Sequence, residues 1–234
     1  MRSLTFAWTS AALFVASLLF FLYSYFVSFG STSASGTWVQ PTIVNLLLFS
    51  IFALHHSLFA RAGLKRRVSA AVSPALERAV YTLISSVLFA LTCWLWRDVP
   101  GVVYALPGSW RWLGYAAVIV GLIVTAFGAR ALDVLDLAGL RQVLNSRGNG
   151  FRQPTPLRTD GLYGFVRHPV YFGWVLVVFG APVMTMTRLT FAVISTAYLA
   201  LAVPFEERSL IETFGPDYAS YRKRVRWRMI PGIY

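Results

Sequence analysis

The chain has 234 residues, 57% hydrophobic and only 13% charged, and carries 21 Lys and Arg against 9 Asp and Glu, a net charge of +12. Its mean hydropathy is +0.61. A soluble domain carries about 25% charged residues, so this balance excludes a soluble enzyme and predicts an all-α polytopic membrane bundle, the arrangement that satisfies backbone groups inside lipid.

Uncharged runs place the spans in chain order. No Lys, Arg, Asp or Glu occurs between Arg2 and Arg61. Residues 4–29 and 41–60 are the first two candidates, parted by Ser31-Thr32-Ser33-Ala34-Ser35-Gly36. The first run has a basic start, but it exceeds the roughly 7–15 residues of a signal-peptide core and no small-residue cleavage site follows, so it reads as a retained helix. Residues 79–96 and 112–129 are the third and fourth candidates. Residues 168–187 and 189–205, separated only by Arg188, are the fifth and sixth, expected as a tight antiparallel hairpin. Each run approaches the roughly 20 residues that cross a bilayer core. The final run is short and is expected to be tilted, re-entrant or partly interfacial, giving about six spans, or five plus a re-entrant one. Trp8, Trp38, Trp94, Trp96, Trp110 and Trp112 are assigned mostly to interfacial belts.

Six spans put every Lys and Arg except Arg97, Arg111 and Arg188 on one side. That asymmetry predicts both termini in the cytoplasm of an integral inner-membrane protein and an active site facing the cytoplasm. It also makes the net charge topological, so nucleic acid is not an expected partner. The single Cys93 can form no intramolecular disulfide and reads as a small buried hydrophobe.

Polar residues concentrate in two cytoplasmic segments. The first, 130–167, is broken in its centre by Gly148, Gly150, Pro154 and Pro156 and fits neither the dinucleotide nor the Walker fingerprint. It ends in Gly161-Leu162-Tyr163-Gly164-Phe165-Val166-Arg167-His168-Pro169-Val170-Tyr171-Phe172-Gly173, which gathers Arg, His and two Tyr where an apolar run begins. Such groups at a membrane boundary are costly unless they bind something. The second segment, 204–234, starts with Pro204-Phe205-Glu206-Glu207-Arg208, read as the close of the last span. A helix from Pro216 then puts Tyr218, Tyr221 and Val225 on one face and basic residues elsewhere, as an amphipathic helix on the membrane surface would. Glu206 and Glu207 repel each other and lose hydration there. They call for ion pairing with Arg167 or Arg208, or for a cationic ligand.

His55 and His56 lie near the cytoplasmic end of the second run. Neighbours on a helix point about 100° apart, so one is expected to face a site and the other to hydrogen-bond within the bundle. No third ligand accompanies them, and no metal site is expected.

The combination Arg167-His168-Pro169-x-Tyr171-x-Gly173, a hairpin, Glu206-Glu207 and Phe214-Gly215-x-x-Tyr218-x-x-Tyr221 resembles the isoprenylcysteine carboxyl methyltransferase and phospholipid methyltransferase superfamily. The resemblance implies S-adenosylmethionine as cofactor, bound without a Rossmann fold. It implies that Tyr163, Arg167, His168, Pro169, Tyr171 and Gly173 frame one wall of the cofactor site, and Glu206 and Glu207 the other. Residues 1–234 then form a single domain, with N-terminal helices in 1–129 and a cofactor-binding catalytic core in 130–234. Leu54-His55-His56-Ser57-Leu58-Phe59-Ala60-Arg61, Leu64-Lys65-Arg66-Arg67, Glu77-Arg78-Ala79-Val80-Tyr81 and Trp94-Leu95-Trp96-Arg97 are similar to the bacterial methanethiol S-methyltransferases, relatives of NnrU-type membrane proteins. This implies methylation of a small thiol, methanethiol to dimethyl sulfide. Within that chemistry His55 or His56 would accept the thiol proton, and Arg167 would stabilise the thiolate. The alternatives are a prenylcysteine carboxyl or phospholipid methyltransferase, a non-catalytic NnrU-like protein, and a relative of the membrane sterol reductases.

Overall fold

The structure is a computed structural model, and it describes residues 2–32, 35–59, 72–73, 75–131, 140–145 and 156–234. The basic segment Arg61 and Lys65–Arg67, together with Arg147, Arg152 and Gly148–Gly150, lies outside the described residues. The described chain is mostly helical. In order it forms α1 (Arg2–Phe26), α2 (Val39–Phe59), α3 (Glu77–Trp94), β1 (Val102–Ala105), α4 (Arg111–Ala131), α5 (Leu140–Asn145), α6 (Pro169–Phe179), β2 (Val183–Thr185), α7 (Met186–Phe214) and α8 (Pro216–Arg224). Among the described residues, four helical stretches are long and apolar enough to cross a membrane: Ser3–Gly30, Val39–Phe59, Gly108–Arg130 and Met186–Phe214. The protein is a polytopic helical membrane protein.

Two compact units are formed, Met1–Pro100 with Leu132–Gln153, and Gly101–Ala131 with Pro154–Tyr234. In the first, Phe21, Tyr25 and Phe29 recur at the four-residue spacing that keeps one helix face. Phe21 meets Phe89 of α3 with ring centroids 5.6 Å apart, and Phe29 meets Trp96 at 5.9 Å. Trp96 is therefore a core residue, only 7% exposed, and not part of an interfacial belt; Trp8, Trp38, Trp94, Trp110 and Trp112 are exposed. Buried Asn45 of α2 mimics a strand partner for the chain just past α3. Its Nδ2 donates to the Arg97 carbonyl at 2.8 Å, and its Oδ1 accepts from the Arg97 amide at 2.7 Å. Cys93 is buried, as a small core side chain.

In the second unit α4 lies against α6. Gly114, Gly121 and Gly128 recur every seventh residue and make a stripe without side chains. A Cβ at Gly121 would stand 2.7 Å from the Gly173 carbonyl oxygen, and one at Gly114 2.7 Å from that of Gly180. The two backbones thus approach as closely as small-residue seams in membranes allow.

The last two runs differ from expectation. The fifth yields only the 11-residue α6, which ends at Gly180, two residues before Pro182. The chain then enters β2, antiparallel to β1 with Tyr104 opposite Met184 and Ala105 opposite Val183, a small sheet that the all-α reading lacked. Its strands are short and rich in Val, which favours extended backbone. The sixth run, expected to be the short one, is the longest helix. The 29-residue α7 starts behind the Thr185 cap, which accepts the Arg188 amide at 3.1 Å, and runs through Pro204 and both glutamates to Phe214. Pro204 does not end the helix. It removes one amide, so the carbonyl four residues back, Ala200, loses its helical donor. The Tyr234 hydroxyl donates to that oxygen at 3.1 Å. At the other end Gly215, with φ of +52°, turns α7 into α8, and Pro216 takes the first helical position.

Candidate functional site

Pro169 begins α6 and bars His168 from helical backbone. His168 has φ −123° and ψ 69°. The two preceding amides are therefore free to pair elsewhere, and the chain beyond α8, extended from Val225, lies beside them. The Arg167 amide donates to the Trp227 carbonyl at 2.9 Å and the His168 amide to that of Arg228 at 2.8 Å. The Arg167 guanidinium adds bonds to the carbonyls of Val225 (2.6 Å) and Arg226 (2.8 Å). This stitching makes the tail a wall of the site.

The adjacent glutamates diverge, as neighbours on a helix must. Glu207 points inward with its side chain 3% exposed. It holds Arg167 Nε at 2.5 Å, with Arg228 Nε at 3.4 Å and Arg222 Nε at 3.9 Å. A buried carboxylate is stable only when paired in this way. Glu206 is 44% exposed and accepts the Tyr171 hydroxyl at 2.8 Å. His168 sits between them, with Nδ1 3.6 Å from Glu206 and Nε2 3.6 Å from Glu207, and its ring stacks on Tyr171 at 5.3 Å with planes 7° apart.

A layer of phenols supports this cluster. Tyr221 donates to the Tyr163 carbonyl at 2.7 Å, and Tyr163 to the Gly128 carbonyl at 3.2 Å. Burial, reinforced by the nearby Glu206 charge, pushes the Tyr163 phenol up to about 12. Burial likewise raises Tyr218 and Tyr221, so all three remain protonated donors. Tyr218, Tyr221 and Val225 are buried against Leu157, Leu210 and Phe214. The apolar face of α8 is thereby used within the protein, which corrects the reading of this helix as lying apolar-side-down on lipid.

Arg167, His168, Tyr171, Glu206 and Glu207, named from the sequence, thus meet at hydrogen-bond or ion-pair distances, and Tyr163 joins them through Tyr221. Pro169 starts α6, and Gly173 sits in the α4–α6 seam. His55 and His56 belong to the other unit. There Tyr81 of α3 lies against both rings: its hydroxyl is 2.9 Å from His56 Nδ1, and its ring stacks on His55 at 5.9 Å. His55 Nδ1 is 3.4 Å from the Ser85 hydroxyl, and its buried Nε2 makes no hydrogen bond. Arg222, Arg228 and Tyr234 were missed as site residues: Arg222 was read only as part of a basic surface, and Arg228 and Tyr234 were not singled out. The available signal was Val225-Arg226-Trp227-Arg228, whose alternation suits an extended strap rather than more helix.

Among the described residues, no group of three or more His, Cys, Asp or Glu could hold a metal. An organic ligand fits the donor set better. The Tyr218 hydroxyl is buried without a hydrogen bond, His168 Nε2 faces the Glu207 carboxylate at 3.6 Å, and Glu206 keeps accepting capacity toward solvent. A ligand bearing an ammonium group and hydroxyls would meet these atoms. A pocket of about 540 Å³ with a mostly apolar wall is lined by Ile123, Val124 and Phe127 of α4 and by Arg158, Asp160, Leu162 and Tyr163.

Residues 119–212 match the isoprenylcysteine carboxyl methyltransferase family. The chain is 36% identical over 195 residues to methanethiol S-methyltransferase 2 of Bradyrhizobium diazoefficiens, covering 83% of this chain and 75% of the relative. It is also 36% identical over 195 residues to the methanethiol S-methyltransferase of Mycobacterium tuberculosis, covering 80% and 77%. Similarity to the protein-S-isoprenylcysteine O-methyltransferase of Dictyostelium discoideum is 31% over 126 residues, covering 53% and 50%. No solved structure matches the chain.

Proposed function

The chain belongs to the isoprenylcysteine carboxyl methyltransferase family, and we propose that it is an S-adenosylmethionine-dependent thiol methyltransferase converting methanethiol to dimethyl sulfide. The observation that carries this reading is the reach of the similarity. It extends over four fifths of the chain toward the methanethiol enzymes and over about half toward the prenylcysteine enzyme. When bound, the cofactor supplies an electrophilic methyl on a sulfonium. The chain's part is to hold cofactor and acceptor in attack geometry and to remove the thiol proton.

Glu206, Tyr171 and His168 are the proposed cofactor contacts, since Glu206 keeps open accepting capacity and the stacked rings of His168 and Tyr171 lie beside it. Tyr163, Pro169 and Gly173 shape the wall behind them. Glu207 and Arg167 neutralise each other and hold the strap in place, and the cationic surroundings of Arg167 favour the thiolate. His55 or His56 is assigned to the acceptor proton, an assignment that rests on the sequence at the end of α2. The proposed topology adds α3 and a short crossing by residues 168–187, whose helical part is the 11-residue α6, to the four long apolar helices, giving six spans. Both termini and the active site would face the cytoplasm of a bacterial inner membrane, as the basic residues imply. Cysteines placed at Thr37 and Ile233 should then label from opposite sides, and labelling from one side would refute it.

Purified protein incubated with S-adenosylmethionine and methanethiol should form S-adenosylhomocysteine and dimethyl sulfide in equal amounts. S-adenosylhomocysteine formed only with a prenylcysteine or phosphatidylethanolamine would overturn the acceptor. None formed with any acceptor would overturn the enzymatic reading.

A further inference from the structure

The outer face of the tail, behind the Glu207 ion pairs, carries a second feature. An open groove of about 670 Å³ is lined by Arg167, Arg222, Lys223, Arg226 and Arg228, with Trp227 and Tyr234. Among the described residues, buried Glu207 pairs with three of these five cations, Arg167, Arg222 and Arg228. No Asp or Glu occurs in residues 218–234. A groove so charged repels cations and attracts an anion. Lys223, Arg226 and Trp227 are exposed, so the charge is available to a ligand.

The groove also adjoins apolar surface. Tyr234 is bonded to the Ala200 carbonyl, and Leu201 next to it is 71% exposed. Phe205, one turn further along α7, is 57% exposed, and Ile233 on the tail is 79% exposed. From Ala200 to Glu207 the helix rises only about 10 Å. Exposed Leu201 thus lies within about 10 Å along α7 of the carboxylate that holds three of the groove's cations, the scale on which a phospholipid's headgroup stands above its chains.

We propose that this groove seats the headgroup of an anionic phospholipid, its phosphate among Lys223, Arg226 and Arg228 and its acyl chains running past Tyr234 toward Leu201. Basic pockets at helix ends hold acidic lipid headgroups by this combination. Trp227 contributes an amphipathic ring suited to the interface.

The test is native mass spectrometry of the full chain titrated with phosphatidylglycerol or phosphatidylcholine in detergent. One phosphatidylglycerol should bind at least tenfold more tightly than phosphatidylcholine. Each exposed cation near such a lipid is worth roughly fivefold, so Lys223→Gln with Arg226→Gln should lose roughly thirtyfold. Arg224→Gln, on the same helix but outside the groove, should lose much less. Equal binding of the two lipids overturns the proposal, and so does a loss in Arg224→Gln as large as in the double variant, which indicates diffuse attraction. Displacement by inorganic phosphate at equal concentration also overturns it, by showing a site for a soluble anion. S-adenosylmethionine binding, measured on the same samples, reports separately on the proposed activity.

Discussion

Pro204 and Tyr234 should be energetically coupled, although they lie on α7 and on the tail. Pro204 leaves the Ala200 carbonyl without its amide donor inside an apolar helix, and the Tyr234 hydroxyl supplies the replacement at 3.1 Å. Tyr234→Phe keeps the ring and removes only that hydroxyl. An orphaned buried carbonyl costs about 1–3 kcal/mol. The same hydroxyl accepts a 3.0 Å bond from Arg228 Nη1, and Arg228 is partly exposed, so its loss adds less than about 1 kcal/mol. Pro204→Ala restores an amide that can close the helical bond to Ala200. In that background Tyr234→Phe should cost only the Arg228 contact, and the coupling in the double-mutant cycle should be about 1–2 kcal/mol. The assay is reversible denaturation of the four proteins in one lipid mixture. Equal losses from Tyr234→Phe with and without Pro204 would refute the idea that the hydroxyl serves the proline gap.

Glu207→Gln leaves Arg167 buried and unmatched and should destabilise the protein by about 3–5 kcal/mol. Glu206→Gln should leave the unfolding midpoint unchanged while weakening S-adenosylmethionine at least tenfold, about 1.4 kcal/mol by calorimetry. The reverse ranking would exchange their roles. Gly121→Ala, whose methyl would stand 2.7 Å from the Gly173 carbonyl oxygen, should cost about 1–3 kcal/mol in the same denaturation assay, and a neutral result would refute backbone contact in the α4–α6 seam. If His55 or His56 takes the thiol proton, one alanine variant should lose roughly 10²–10⁴ in turnover at neutral pH. That loss should shrink as pH rises and solvent itself supplies thiolate. A pH-independent loss would instead mean that the residue shapes the pocket.

The membrane class and the approximate positions of the long apolar helices follow from the sequence alone, because they depend on local properties, whereas the grouping of Arg167 with Glu206 and Glu207 in one site is implied only by the family resemblance. A charge-free run is apolar wherever it packs, and Arg-His-Pro places an arginine just before a helix in any fold. Tertiary structure decided the rest. Arg167 and Glu207 are 40 residues apart, and only their meeting determines which of the two adjacent glutamates is buried and which stays open. The periodicity of α8 identifies an apolar face but cannot tell lipid from Leu210 and Phe214 as its partner, since both are equally apolar. Pro204 read as a stop because its own neighbourhood offers no donor for Ala200. The donor comes from Tyr234, 34 residues away, and with it the helix continues.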